Sequence, residues 1–350
     1  MDTVHIAVQT ETLIRILLLG FLGFLVSMIA TPIYTTLAYK YEWWKKPRTT
    51  TTTGEKAKLF TKLHAEKHKR LIPTMAGAIA VFSVCIVTVL FNLSRNQTWL
   101  PLAAFIGAAA VGLLDDIINI KGSSGTVEKI RLSAKMKLLL TTIVALIGGW
   151  FFYFKLDVSS IHIPIVGTQL EIGWLIIPLF VFVVVATANA VNISDGLDGL
   201  AGGLASSAFA VYAIIAIIER QFGVAGFCLT ILGALLSYTW FNVFPARFFM
   251  GDVGSFALGT ALGVVAMLTN TVLILPIIGM VFVAEAGSTL IQILSKKLRH
   301  GKKVFKIAPI HHHFEASGWP ETKVTMRFWI LGQVAGVLGL IVFLLGRYIH

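Results

Sequence analysis

The chain has 350 residues, 56% of them hydrophobic and 13% charged, where a soluble domain carries roughly a quarter charged residues. That balance excludes a soluble globular enzyme and places the chain in a bilayer. Its net charge of +12 sits on polar connections between apolar runs, and no nucleic-acid partner is expected. Its two cysteines, Cys85 and Cys228, lie inside apolar segments without paired spacing, which argues against a disulfide framework or a zinc site.

About 20 apolar residues cross the hydrocarbon as a helix, because unpaired backbone groups are too costly in lipid. Residues 1–12 are mixed polar, and the stretch Leu13 to Ala38 is long enough to span, so it reads as a retained helix rather than a cleaved signal. Apolar runs predict about ten transmembrane helices, at 13–38, 73–93, 99–118, 137–154, 173–193, 203–219, 224–242, 254–270, 272–294 and 326–348. The fold expected is an all-α polytopic membrane protein forming one integral domain over residues 1–350.

Between the first two runs, a threonine run (Thr49 to Thr53) precedes a lysine-rich stretch from Lys56 to Arg70, which reads as an interfacial helix or a solvated basic loop. Within 155–172, Ile161, Ile163 and Ile165 alternate with polar residues, Gly167 breaks the run, and Leu170 and Ile172 resume it; a short periplasmic β-hairpin is expected. Of the 29 lysines and arginines, 24 fall on one side if the helices alternate, which marks that side as cytoplasmic. Both termini then lie outside, and loops 39–72, 119–136, 194–202, 243–253 and 295–325 form the inner, active-site face.

Asp115 and Asp116 end the third run. Carboxylates at a helix C-terminus oppose the macrodipole, so a solvated pair is disfavoured unless a cation offsets it, and Mg²⁺ accepts such ligands. The segment Asn189 to Gly199 concentrates amides, carboxylates and glycines, either as an Asx-rich turn capping the next helix with Asp198 or as a ligand-reading loop. Asp252, in Phe249 to Ser255, reads alone as a helix cap and, joined to Asn242 and the earlier clusters, as a metal ligand or nucleophile. His311, His312 and His313, near Lys302, Lys303 and Lys306, suit contacts to phosphate or sugar better than a zinc site. Glu285 lies inside the ninth run, where a charge is expensive; it is protonated, paired or at a helix break, and no catalytic role is assigned to it. Small-residue pairs, Gly259 with Gly263 and Gly332 with Gly336, read as ordinary helix packing.

Taken together, the Asp115-Asp116 pair, NAVNISDGLDGLA (189–201), WFNVFPARFFMGDVGSFALG (240–259) and PIHHHFEASGWPETKVTMRFW (309–329) resemble the phospho-N-acetylmuramoyl-pentapeptide-transferase family, bacterial enzymes that make lipid I. The resemblance covers most of the chain from residue 73 onward. It implies transfer of phospho-N-acetylmuramoyl-pentapeptide from UDP-N-acetylmuramoyl-pentapeptide to undecaprenyl phosphate at the inner membrane, with release of UMP and a requirement for Mg²⁺. By similarity, Asp252 binds Mg²⁺, and Asp115 and Asp116 position or deprotonate the lipid phosphate. A direct attack uses Asp115 as base, whereas a two-step path uses Asp252 as nucleophile. Asn192, Asp195, Gly196, Asp198, Asn242 and Phe249 match positions around the nucleotide; His311, assigned a catalytic part, faces the diphosphate or sugar with His312 and His313. Lys69, Arg70, Lys121 and Lys137 supply cations. A homodimer in membrane lipid is compatible with this reading.

Two places depart from the family pattern. Asn119 stands where a lysine is usual three residues after the aspartate pair, and Leu71 to Gly77 reads LIPTMAG where the family has GTPTMGG. The nearest rival is a polyprenyl-phosphate transferase that takes UDP-N-acetylglucosamine, which the segment around the histidines disfavours. A rival of another class is an ion-coupled transporter, whose acids should lie near mid-membrane.

Overall fold

The computed structural model describes residues 2–44, 71–121 and 132–348, with side chains from residue 10 to residue 347 of these. In chain order the elements are α1 (Asp2–Lys40), α2 (Gly77–Phe91), α3 (Trp99–Lys121), α4 (Ala134–Phe154), β1 (Ser160–Ile163), β2 (Thr168–Glu171), α5 (Ile176–Ser194), α6 (Leu200–Ile218), α7 (Phe222–Asn242), α8 (Gly251–Leu268), α9 (Leu275–Ile278), α10 (Met280–Leu298), α11 (Ile310–Glu315) and α12 (Glu321–Tyr348). The reading of Lys56 to Arg70 as an interfacial helix, and the site residues Lys69 and Arg70, lie outside the described residues.

Eight of these helices, α1, α3 to α8 and α12, are long and apolar enough to cross a bilayer, and α2 is a shorter apolar helix. The remaining expected run, 272–294, is also helical. That run is broken at Gly279 into the four-residue α9 and the longer α10. Along α10, Glu285, Ser288, Gln292 and Ser295 are buried while Val283, Leu290, Ile291 and Leu294 are exposed. Its polar residues share one helical face turned into the protein, an arrangement that an average over the run does not register. At 15 residues, α2 rises roughly 22 Å, short of the ~30 Å hydrocarbon thickness.

The bundle is organised around α8, of which 89% of the apolar window is buried, against 22% for α1 at the periphery. α8 packs on α3 and α5, while α7 packs on α1 and α6. The small residues serve that packing as expected: Gly259 and Gly263 lie against Thr187, Ala188 and Val184 of α5, and Gly332 and Gly336 against Leu204 and Val211 of α6.

Contacts between helix ends sort the connections into two sets. At one end, the Asn92 amide donates to the Gly223 carbonyl (2.9 Å), Gln221 donates to the Leu268 carbonyl (3.0 Å), and Arg347 pairs with Glu219 (3.1 Å). The expected hairpin is at this end, antiparallel with Ser160 opposite Glu171 and Ile163 opposite Thr168, and the His162 N–H donates to Asn270 Oδ1 (2.8 Å) after α8. Asp115, Asp116, Asp195, Asp198 and Asp252 lie in the segments at the opposite end: the last turns of α3, the α5–α6 connection and the start of α8.

Candidate active site

Three elements converge at that end. Gly112 lets α3 approach so closely that a Cβ there would lie 2.2 Å from the Asp252 carbonyl oxygen. This contact sets Asp115 and Asp116 beside the first turn of α8. Gly251 has φ +75°, and an added Cβ would meet Asp116 Oδ2 at 2.6 Å, so the turn into α8 needs glycine for both conformation and space. The third contributor is α4, whose first turn carries Lys137.

The resulting cluster is compact. Asp115, Asp116 and Asp252 each offer an oxygen within 4.8 Å of the others. Lys137 Nζ lies 2.6 Å from Asp115 Oδ2 and 2.6 Å from Asp252 Oδ2, bridging the two carboxylates. Asn119 donates to Asp115 Oδ2 (2.7 Å), so the asparagine that replaces a lysine in the family pattern supports the same carboxylate from one turn further on. Asn192 donates to Asp252 Oδ1 (3.2 Å) and to Ser255 Oγ (2.8 Å). Asp116 Oδ2 accepts the Val253 N–H (3.0 Å), one of the amides that a helix start leaves without an internal partner. Asp252 itself is not the cap of α8, since the N-cap is Met250; it stands in the first turn, where its charge complements the helix dipole.

A strand-like segment closes the site on one side. The Phe249 N–H donates to the Pro73 carbonyl (2.8 Å), and the Ala76 N–H to the Phe249 carbonyl (3.0 Å), so the residues before α2 lie along those before α8. The Tyr34 hydroxyl donates to the Thr74 carbonyl, tying the same segment to α1.

A second group forms around the histidines. His311 and His312 are buried on α11, ring centroids 4.0 Å apart. Glu285 Oε2 lies 2.8 Å from His311 Nδ1, and Glu315 Oε2 lies 2.6 Å from His312 Nδ1. Burial, and next the neighbouring His311, push His312 down to about 4 against the opposing pull of Glu315, which keeps it uncharged near neutrality. His311 Nε2 faces Gly196, where a Cβ would lie only 2.2 Å away. The Asn192 to Gly196 segment thus touches the carboxylate cluster with its first residue and the histidines with its last.

Asp198 and Asn242 are elsewhere. Asp198 Oδ2 accepts the Ala246 N–H (3.0 Å), its own N–H donates to Glu321 Oε1 (2.7 Å), and the Thr325 hydroxyl donates to its carbonyl (3.3 Å). Asn242 accepts from the Gly199 N–H (2.9 Å) and donates to the Phe248 carbonyl (2.8 Å). These bonds knot the α5–α6 and α7–α8 connections to the start of α12. The cap of α6 is Gly199, with no side-chain bond, so Asp198 does not cap that helix. His313 accepts from the Lys306 N–H (3.1 Å), Phe249 is half-buried, and Lys121 is exposed at the end of α3.

Sequence reasoning left Glu285, Glu315, Glu321, Asn119 and Ser255 without roles. A lone carboxylate in an apolar run was the signal for Glu285. Ser255 carried none.

The helical bundle and its polar end define a polytopic membrane transferase: residues 98–270 match the family described as glycosyl transferase family 4. Relatives named phospho-N-acetylmuramoyl-pentapeptide-transferase include those of Chloroflexus aggregans, 35% identical over 95% of this chain and 91% of that one, and Clostridium novyi, 37% identical over 91% and 93%. Another, from Syntrophus aciditrophicus, is 39% identical over 79% of this chain and 81% of its own. The chain belongs to the phospho-N-acetylmuramoyl-pentapeptide-transferase family.

Proposed function

We propose that the protein transfers phospho-N-acetylmuramoyl-pentapeptide from UDP-N-acetylmuramoyl-pentapeptide to undecaprenyl phosphate, forming lipid I and releasing UMP. The observation that carries this reading is the Asp115, Asp116 and Asp252 cluster bridged by Lys137, at the helix ends that also bear His311 and Gly196. In the reaction, an oxygen of the lipid phosphate bonds to the sugar-bearing phosphorus, the bond from that phosphorus to the bridging oxygen breaks, and UMP leaves with that oxygen. Both reactants are anionic, so the site must supply positive charge. The basic connections support an orientation with this end at the cytoplasmic face of a bacterial inner membrane and both termini outside.

The donor set fits Mg²⁺. Its three carboxylates offer the hard oxygens that ion takes, and Lys137 between two of them supports the reading that the cluster takes positive charge. Asp252, the more open member at 15% exposure against 2% for Asp115, is assigned as the principal metal ligand. When bound, Mg²⁺ supplies charge neutralisation at the diphosphate.

The chain's own groups do the rest. Asp252 has both oxygens engaged, by Lys137 and Asn192, which suits a holding role and favours direct transfer over a covalent intermediate on this residue. Asp115 takes the lipid phosphate's proton, with Asn119 and Lys137 orienting it. Asp116, bonded to the start of α8, keeps α3 and α8 in register. Asn192, Asp195, Gly196 and Phe249 border the nucleotide, with Lys121, Lys69 and Arg70 as further phosphate contacts. Asp198 and Asn242 shape the nucleotide loop through their backbone bonds. Glu285 is a positioning residue: it holds His311 Nδ1 so that Nε2 faces the Gly196 turn, while His312 and His313 complete that wall.

A transporter reading fits less well, since the carboxylates gather at one end and Glu285 is tied to His311. The test is UMP release by purified protein with undecaprenyl phosphate and Mg²⁺, comparing UDP-N-acetylmuramoyl-pentapeptide with UDP-N-acetylglucosamine. Release is expected from the first alone; release from the second alone assigns the protein to the rival transferase.

A further inference from the structure

The start of α12 presents two faces. Inward, Glu321, Thr325 and Trp329 hold the backbone of Asp198 and Gly199. Outward, Lys323 and Arg327, one turn apart, both lie over the ring of Trp319, at 4.9 Å and 4.5 Å from its centre. Phe314 stacks on the same indole (4.8 Å, 26° between planes) and fixes it. Neither cation makes an ion pair with a described residue, and both are exposed. Glu321, the one acidic residue of that turn, is used on the inner face.

Two cations in the first turns of a helix are set against its dipole, which favours negative charge there. Held together over one ring, they also repel each other. Both costs are relieved by an anion on the outer side. Beyond Arg327 the same stripe of the helix continues with Ile330, Val334, Val337 and Ile341, all exposed and apolar. It runs about 20 Å, more than the ~15 Å depth of one leaflet.

We propose that the Lys323, Arg327 and Trp319 patch binds the headgroup of an anionic bilayer phospholipid, whose acyl chain lies along the apolar stripe of α12. The charge complementarity selects net-negative headgroups, because the choline of a zwitterionic lipid meets two like charges. The inner face of this turn holds the Asp198 backbone, so an occupied patch also steadies the nucleotide loop. The site is separate from the carboxylate cluster and goes beyond the transfer reaction.

The test uses full-length protein in nanodiscs of phosphatidylcholine with a minor fraction of phosphatidylglycerol, with the lipids retained on extraction counted by native mass spectrometry. Wild type is expected to retain phosphatidylglycerol in preference, and so is a Lys302→Gln/Lys303→Gln control altered at other exposed lysines. Lys323→Gln/Arg327→Gln should lose that preference by roughly fivefold for each cation removed. Lys323→Gln alone, at an exposed position, keeps the test open if the double variant unfolds. Equal retention by wild type and the Lys323 variants overturns the proposal. So does one-for-one displacement of phosphatidylglycerol by undecaprenyl phosphate in wild type but not in the double variant, which assigns the patch to the acceptor. No arm requires turnover, so failure of the transferase reading leaves this result interpretable.

Discussion

Gly196 and His311 are 115 positions apart in the chain, yet the imidazole Nε2 occupies the space that a methyl group on the glycine would need. Gly196→Ala therefore pushes either the Asn192 to Gly196 turn or the His311 ring. We expect the KM for the UDP-sugar to rise about tenfold, with a stability loss of about 1–3 kcal/mol of the kind that overpacking produces. Steady-state kinetics and thermal unfolding in detergent check this, and unchanged kinetics would remove the contact from the account. The aspartates were legible from sequence because their residue type is rare in an apolar chain. Their partners were not: Glu285 and His311 belong to segments whose pairing requires α10 to turn its polar side inward. Asn119, which reads as a loss of charge in the sequence, is a hydrogen-bond donor to Asp115 in the fold, with Lys137 supplying the cation from α4.

At the scale of elements, α10 does the most to shape the histidine wall. Its Gln292 donates to the Phe305 carbonyl (2.9 Å) and accepts both the Val304 and Phe305 N–H groups (3.0 Å each), and Ser295 donates to the Lys302 carbonyl (2.9 Å). The connection to α11 is thereby strapped along the helix. Gln292→Leu should release residues 302–306, costing about 1 kcal/mol for the partly buried backbone groups left without it. Amide hydrogen exchange at Val304 and Phe305 should accelerate; protection equal to wild type contradicts the strap. Period and hydropathy found the long helices and the hairpin, since these depend on local pattern. They read 272–294 as one helix because an apolar average registers neither the break at Gly279 nor the buried polar face of the segment after it.

For the molecule as a whole, asymmetry of charge between connections was the most informative property of the sequence, and it rests on alternation of the helices. The end-to-end contacts agree with that alternation, with the hairpin and the Arg347–Glu219 pair at one end and the carboxylates at the other. What composition does not contain is the depth of α8, which brings residues from α3, α4 and α5 to a single cluster. The central claim is that this cluster performs a metal-dependent transfer between two phosphates. It is tested most directly by measuring UMP and lipid-linked product from UDP-N-acetylmuramoyl-pentapeptide and undecaprenyl phosphate at varied Mg²⁺, with wild type and Asp252→Asn side by side. The account predicts Mg²⁺-dependent turnover by wild type and a fall of about 10³-fold or more in the variant, with its thermal unfolding unchanged within a few degrees. Turnover by Asp252→Asn within a few fold of wild type, or turnover by wild type in the absence of any divalent ion, would contradict it.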